Sequence, residues 1–446
     1  MTLRNLRPDR RAVLAGALAA ALPRPAASQP APARGPVEAT RPVLSLRVKP
    51  GGIDLRGDGS QAAGWMFETA LPSPLLQGSE LQLSLDNAVA APLALSWRGG
   101  GGAAIEPLAA RPPLLPGQTT TAALALRHAG TVLCDARLLG DGQDHALPAL
   151  GLTVAERDAV AVDRDILMLI EDWRLAQNGG TAAPGTAATA SPALFTINGR
   201  PSLDIAVRSH QRLRLRFING CQRAPIALRL DGHEVRVMAI DGQPAEPFIS
   251  RDGQLTLAPG SRVDAFVDAV LRPGAVAVLQ LHDGQAPRPI ARLVYGAEDP
   301  VRPAPLPPPD PLPDNGLPAK LDLASALRID LPLDVKPGSA GNEWLRPANL
   351  NATAAPAFRI KRGRVGVVAI SNPAPEPVTF HLHGHAFRWL DRLDDGWKPF
   401  WLDTLLLAGG ATQRVAFLAD QAGPWLIEAM ATRWDAPRLA RWYMVE

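Results

Sequence analysis

The sequence predicts an all-β protein made of three consecutive β-sandwich domains. Two families of internal repeat and the composition carry this prediction. The first repeat reads "GSELQLSLDNAVAAPLALSWRGG" from Gly78, "SHQRLRLRFINGCQRAPIALRLDGHEVRVMAIDG" from Ser209 and "KRGRVGVVAISNPAPEPVTFHLHGHAFRWLDRLDDG" from Lys361. Each copy is an alternating strand ending in Asn (Asn87, Asn219, Asn372), a Pro-containing turn and a second alternating strand. The second repeat reads "LLPGQTTTAALALRHAGTVLCDARL", "LAPGSRVDAFVDAVLRPGAVAVLQLHD" and "LAGGATQRVAFLADQAGPWLIEAMA", each a glycine turn, a strand, another glycine turn and a further strand. Period-two alternation places successive side chains on opposite faces, the pattern of a strand with one buried side. With 45 Pro and 39 Gly against 5% aromatic residues, the composition suits short strands and many turns.

Taken in order, residues 1–28 stand outside the fold. A basic start, a short apolar run from Ala12 to Leu22 and small residues at Ala26-Ala27-Ser28 read as an export signal, too short to span a bilayer. Arg10-Arg11 just before the run resembles a twin-arginine (Tat) signal, which implies a periplasmic destination; a Sec signal that contains an Arg pair is the other reading. These residues carry five Arg and one Asp, so their removal takes the net charge from +3 to −1. No basic patch then remains to argue for nucleic acid or anionic lipid, and no later segment is long and apolar enough for a membrane span.

The repeats set domain 1 at 36–157, domain 2 at 158–298 and domain 3 at 318–446. Between the last two, "PVRPAPLPPPDPLPDNGLP" supplies a stiff, extended, Pro-rich linker at 299–317. The segment "NGGTAAPGTAATASP" reads as a flexible surface loop.

Chemistry concentrates in "TFHLHGHAFRWL", which packs His381, His383 and His385 into five positions. Alternation along a strand points residues i and i+2 to one face, so His381 and His383 can present two imidazoles together. The stretches "RLRFIN", "AIDGQP", "LAPGSRVDAFVDA", "HLHGHAF", "LDT" and "PW", within three matched domains, make the chain resemble a three-domain multicopper oxidase over nearly its whole mature length. The resemblance implies cupredoxin-like Greek-key barrels. It also implies four His-x-His pairs around three coppers and a fourth, electron-accepting copper held by a Cys thiolate and two His.

Matched position by position, the ligand set is depleted. Ser96 and Arg98 stand at the first His-x-His pair, Asp135 and Arg137 at the second, and His381 and His383 keep the third. Glu428 and Met430 stand at the fourth. Val378 and Trp434 replace the two His of the electron-accepting copper, Ala429 replaces its Cys, and Leu439 takes its axial position. A charge buried there survives only if paired and hydrogen-bonded, so Arg98 and Arg137 are expected to form a network with Asp135 and Glu428. Drift into a solvent channel is the alternative. His381 and His383 are read as residual scaffold residues or as the ligands of one weak copper, with Met430 or Glu428 assisting. His385 aligns with His233 of "LDGHEV" in the middle copy, which favours a structural role.

Cys221 follows "RLRFIN" where some laccases anchor a bridge between the first two domains, and Cys134 lies near the partner position; a Cys134–Cys221 disulfide or two small buried residues are the readings. Trp397, Phe400 and Trp401 in "DGWKPFWLDT" form either a recognition surface or packing under a loop. The chain is thus similar to the copper-free SufI/FtsP type, exported three-cupredoxin proteins associated with cell division. That likeness implies no catalytic residues, no cofactor and a periplasmic protein partner. An oxidoreductase with an altered copper site is the alternative. The sequence carries no oligomerisation signal.

Overall fold

The computed structural model describes residues 41–446 except 71–73, 101–107, 109–110, 187–190, 334–343, 351–354 and 392–395. The proposed export signal lies outside the described residues.

Three sandwiches follow one another, each closing on its own apolar core. In the first, the sheet Ala62–Ala70, Val43–Ile53, Glu80–Asn87, Thr119–Ala125 faces the sheet Leu75–Leu76, Ala149–Ala155, Gly130–Asp135, Ser96–Arg98. The second is built of a six-stranded and a five-stranded sheet, and the third of two five-stranded sheets. Each opens with the same unusual pairing, in which the first long strand runs parallel to the strand of the Asn repeat. Val43–Ile53 pairs with Glu80–Asn87, Arg164–Trp173 with Arg212–Asn219, and Leu327–Pro332 with Val365–Ser371.

The repeated Asn does the same work three times. Asn87 donates through Nδ2 to Ala91 O and Leu114 O, both at 2.9 Å, and accepts from Val89 N. Asn219 donates to Ala224 O and Leu257 O and accepts from Cys221 N. Asn372 donates to Glu376 O and Ala408 O and accepts from Ala374 N. All three are buried, and each satisfies the backbone groups that a turn between sheets leaves without ladder partners.

Two expectations about connecting segments change. The first half of the supposed surface loop is buried: Thr181 to Pro184 lie inside, Thr181 N donates to Ala63 O, and Gly185 N reaches Trp434 O in the third sandwich. Its small residues let it thread between packed layers, a use that composition alone reads as flexibility. The Pro-rich connection is extended but tied down. Arg212 donates to Leu306 O and Pro307 O, and the buried Asn315 bonds Ala129 of the first sandwich and Gly242 and Gln243 of the second.

Cys134 and Cys221 are both free thiols, which corrects the disulfide reading. Cys134 packs in the core of the first sandwich and Cys221 in that of the second, so each serves as a small apolar filler in a separate core. Burial raises both thiols well above their usual range.

Candidate functional site

Four strands and the turns after two of them bring the positions of the four matched pairs together where the first and third sandwiches meet. Strand Ser96–Arg98 pairs with Gly130–Asp135, setting Ser96 opposite Asp135, and Arg137 follows two residues on. Strand Val378–Leu382 pairs with Gly423–Ala431, setting His381 opposite Glu428. Alternation then turns Glu428 and Met430 toward the first two sandwiches while Ala429 faces its own core.

The meeting point is an arginine–carboxylate network. Glu428 accepts from Arg438 NH1 through Oε2 at 2.7 Å, from His383 Nε2 through Oε1 at 2.6 Å, and from Arg98 NH2 through the same Oε1 at 3.3 Å. Asp135 binds Arg137 through Nε at 2.8 Å and NH2 at 3.2 Å, and accepts from Arg137 N. Arg137 NH1 also reaches Gly220 O of the second sandwich. Arg98, Asp135, Arg137, Glu428 and Arg438 are each exposed by 3% or less. Burial works to raise both carboxylates, but the guanidinium charges outweigh it. Arg137, Arg438 and Arg98 hold Asp135 at about 2, and Arg98 and Arg438, with the His383 hydrogen bond, hold Glu428 well below its usual range. Arg98 itself is lowered by burial, which its carboxylate neighbours only partly offset.

Around this centre, the charged residues of the quoted motifs lock the domains. Arg262 of "GSRVD" reaches Asp403 of "LDT" through NH2 at 2.5 Å and through NH1 at 3.1 Å. Asp241 of "AIDG" accepts from Arg262 N, Asp403 N and Thr404 N. Arg223 of the second sandwich joins Asp141 of the first at 2.6 Å, while its NH1 lies 3.1 Å from Met430 Sδ of the third. Arg438, Arg262, Asp403, Asp241 and Arg223 were not singled out in the sequence. The Met430↔Arg438 pairing across the last hairpin would have exposed Arg438. The rest sit inside motifs whose spacing identifies a family rather than a contact.

The histidines divide by role. His381 lies 2.8 Å through Nδ1 from Asp403 O and 3.1 Å from Thr404 Oγ1. A carbonyl only accepts, so the proton sits on Nδ1 and the Nε2 lone pair is left bare; Nε2 is buried without a hydrogen-bond partner. Burial, the Arg98 charge and His383 lower His381 to about 3. His381, His383 and Glu428 offer ligand atoms within 4.8 Å of one another. His385 belongs to the scaffold. Its Nδ1 lies 2.6 Å from Tyr443 Oη, as His233 Nε2 lies 2.6 Å from Tyr295 Oη in the second sandwich.

The four remaining positions are apolar. Val378, Ala429 and Leu439 are wholly buried in the third core, and Trp434 is buried beneath Arg174, whose guanidinium carbon lies 5.0 Å from the ring centroid. Of the two readings of the aromatic cluster, packing holds for Phe400 and Trp401. Trp401 is buried under Arg388 in a small cluster with Leu321 and Leu390, and Phe400 is partly buried against the third core; adjacent on strand Trp397–Leu402, the two pack on its opposite faces.

Comparison with known proteins places this geometry. The multicopper oxidase family model matches residues 165–295 and 328–446. The chain belongs to the multicopper oxidase family. Multicopper oxidase MmcO of Mycobacterium tuberculosis is 23% identical over 487 residues, covering 94% of this chain and 94% of that protein. The crystal structure of a multi-copper oxidase from Pseudomonas thermotolerans aligns with a TM-score of 0.77 and 24% identity over 92% of this chain and 100% of its own. That of Lac15, from a marine microbial metagenome, aligns at 0.72 with 23% identity, over 91% and 100%. Three cupredoxin-like domains are therefore the architecture of this family member. Among the described residues, no helix is long and apolar enough to cross a membrane.

Proposed function

We propose that this family member is a copper-free, non-catalytic binding protein of the cell envelope, exported by a twin-arginine-type signal to act on a periplasmic protein partner. One observation carries the reading: eight of the ten positions matched to family His hold other side chains (two Arg, Asp, Glu, Ser, Met, Val and Trp), and Ala429 stands at the Cys. Oxygen reduction in this family needs a thiolate-bound copper feeding electrons to a cluster of three coppers held by imidazoles. The donor set here does not suit that cluster. Arg98, Arg137 and Arg438 are fixed cations in its centre, and both Glu428 oxygens are already engaged. At the electron-accepting position Val378, Ala429 and Leu439 offer no donor atom, and the Trp434 indole nitrogen is a hydrogen-bond donor only.

The second reading, an oxidoreductase with one altered copper, rests on the His381–His383–Glu428 group. Against it stands the Arg98 guanidinium 3.3 Å from Glu428, a like charge for any metal ion placed there. Dioxygen uptake with a phenol or cuprous ion as donor, after incubation with copper, separates the two. The binding reading expects no uptake above the protein-free rate. Sustained donor-dependent uptake overturns it.

A further inference from the structure

A cavity of about 120 Å³ opens beside the network, and Arg98, Gly99, His381, Asp241 and Asp403 line it. Trp97, Trp401 and Trp425 line it too, with the half-exposed Asp420. Two of its lining side chains carry unused hydrogen-bonding capacity. Arg98 Nε and NH1 are buried donors without partners, and His381 Nε2 is a buried acceptor without one.

The neighbouring carboxylates do not answer this need. Both oxygens of Asp403 are held by Arg262, with Thr404 Oγ1 also donating to one of them. Those of Asp241 are held by three backbone N–H groups. Asp135 is committed to Arg137. Glu428 gives Arg98 only the longest of its three contacts, on an oxygen that His383 already holds at 2.6 Å. Arg98 is thus a buried cation without a carboxylate of its own. A buried donor or acceptor left unpaired carries its full desolvation penalty, so a site with two idle donors and one idle acceptor favours a molecule that answers all three. Liquid water takes about 30 Å³ per molecule, so the cavity has room for a handful of heavy atoms. Gly260 permits the arrangement: a Cβ there would lie 2.6 Å from Arg98 NH1, and its φ of +89° suits glycine alone.

We infer that this cavity binds a small hydroxylated monoanion, whose oxygen accepts from Arg98 and whose O–H donates to His381 Nε2. The inference rests on the copper-free reading. Two sources share this chemistry, inorganic hydrogencarbonate or dihydrogenphosphate and an organic 2-hydroxy acid such as glycolate.

Tryptophan fluorescence of the full chain, dialysed against a chelator and titrated at constant ionic strength, tests it. Hydrogencarbonate, dihydrogenphosphate and glycolate form separate arms, with acetate (no hydroxyl) and chloride as controls. The expected result is a saturable change with at least one hydroxylated anion. Acetate should bind about tenfold or more weakly, since it leaves the His381 acceptor unmet. The arm that saturates lowest identifies the source. In Arg98→Lys the affinity should fall about tenfold, and in His381→Phe the preference over acetate should disappear while acetate binding remains. A wild-type protein that responds to no anion overturns the inference whether or not the variants fold, and so does a response unchanged by Arg98→Lys. Because the protein is metal-free throughout, such a failure leaves the copper-free reading standing. Copper retention in a separate assay would overturn that reading, whatever the anion titration shows.

Discussion

Strand Gly423–Ala431 holds two neighbouring outcomes of one sequence. On one face Glu428 and Met430 look out to the first and second sandwiches, where Arg98 and Arg223 meet them, together with Arg438 from the neighbouring strand of their own sheet. On the other face Ala429, between them, is wholly buried among Val378, Leu439 and the rest of the third core. The difference lies in what surrounds each face. A position enclosed by a single sandwich can become apolar and join a core already present. A position at the junction of three domains is walled by polar backbone edges and by charges from other chain segments, so it stays polar and must balance charge. The interior of the third sandwich has closed; the junction has been rebuilt as electrostatics.

Removing the carboxylate at the heart of the junction should have the largest effect. Glu428→Ala leaves Arg98, Arg438 and His383 without their shared acceptor, and is expected to cost about 3–5 kcal/mol in urea denaturation. A loss under ~1 kcal/mol would mean that water has replaced the carboxylate and the junction is not dry.

Acid should then unfold the junction before the core. The folded-state values of Asp135 and Glu428 lie below the unfolded value of about 3.9–4.3. Their contribution is therefore fully present above about pH 4 and lost as pH falls, through about 2 for Asp135. For Asp135 alone this amounts to about 2–3 kcal/mol. Glu171, a buried neighbour of Arg137, is raised by burial to about 7 and acts in the opposite sense, its contribution being lost as pH rises from about 4.3 through 7. Stability measured from pH 8 to pH 2 should pass through a maximum near pH 5, and Glu171→Gln should flatten the alkaline limb.

On the apolar face, Val378→Thr keeps shape but adds a hydroxyl, and should cost about 1–3 kcal/mol. At the junction, Ser96→Ala should be the mildest change, within about 0.5 kcal/mol of wild type. Ser96 Oγ is already buried without a partner, so its loss removes no bond. Equal costs for these last two substitutions, in the same denaturation assay, would erase the distinction between the faces.

The same contrast explains what was legible beforehand. Strand alternation and the thrice-repeated Asn forecast the sandwiches because both are local demands, a buried face and a turn with unmet backbone groups. The arginines and carboxylates at 98, 135, 137 and 428 were visible as substitutions within motifs, and their burial forced the expectation of pairing. Arg438 was within reach of local reasoning, since its partner Glu428 lies ten residues away across the last hairpin. The Arg262–Asp403–Asp241 lock was not visible: Asp241 and Asp403 lie 162 residues apart, and nothing in local spacing encodes a contact between domains. Phe400 and Trp401 stayed undecided for a related reason: "GWKPFWL" suits an exposed aromatic cluster or packing under a loop, and only its register in an outer strand turns Trp401 under Arg388.

Copper stoichiometry is the most direct measurement of the central claim. Purified protein incubated with excess cupric ion, desalted and analysed for metal and visible absorption should carry less than one copper per chain and no blue thiolate band. A preparation holding three or four coppers per chain, or one that turns blue, would contradict the account.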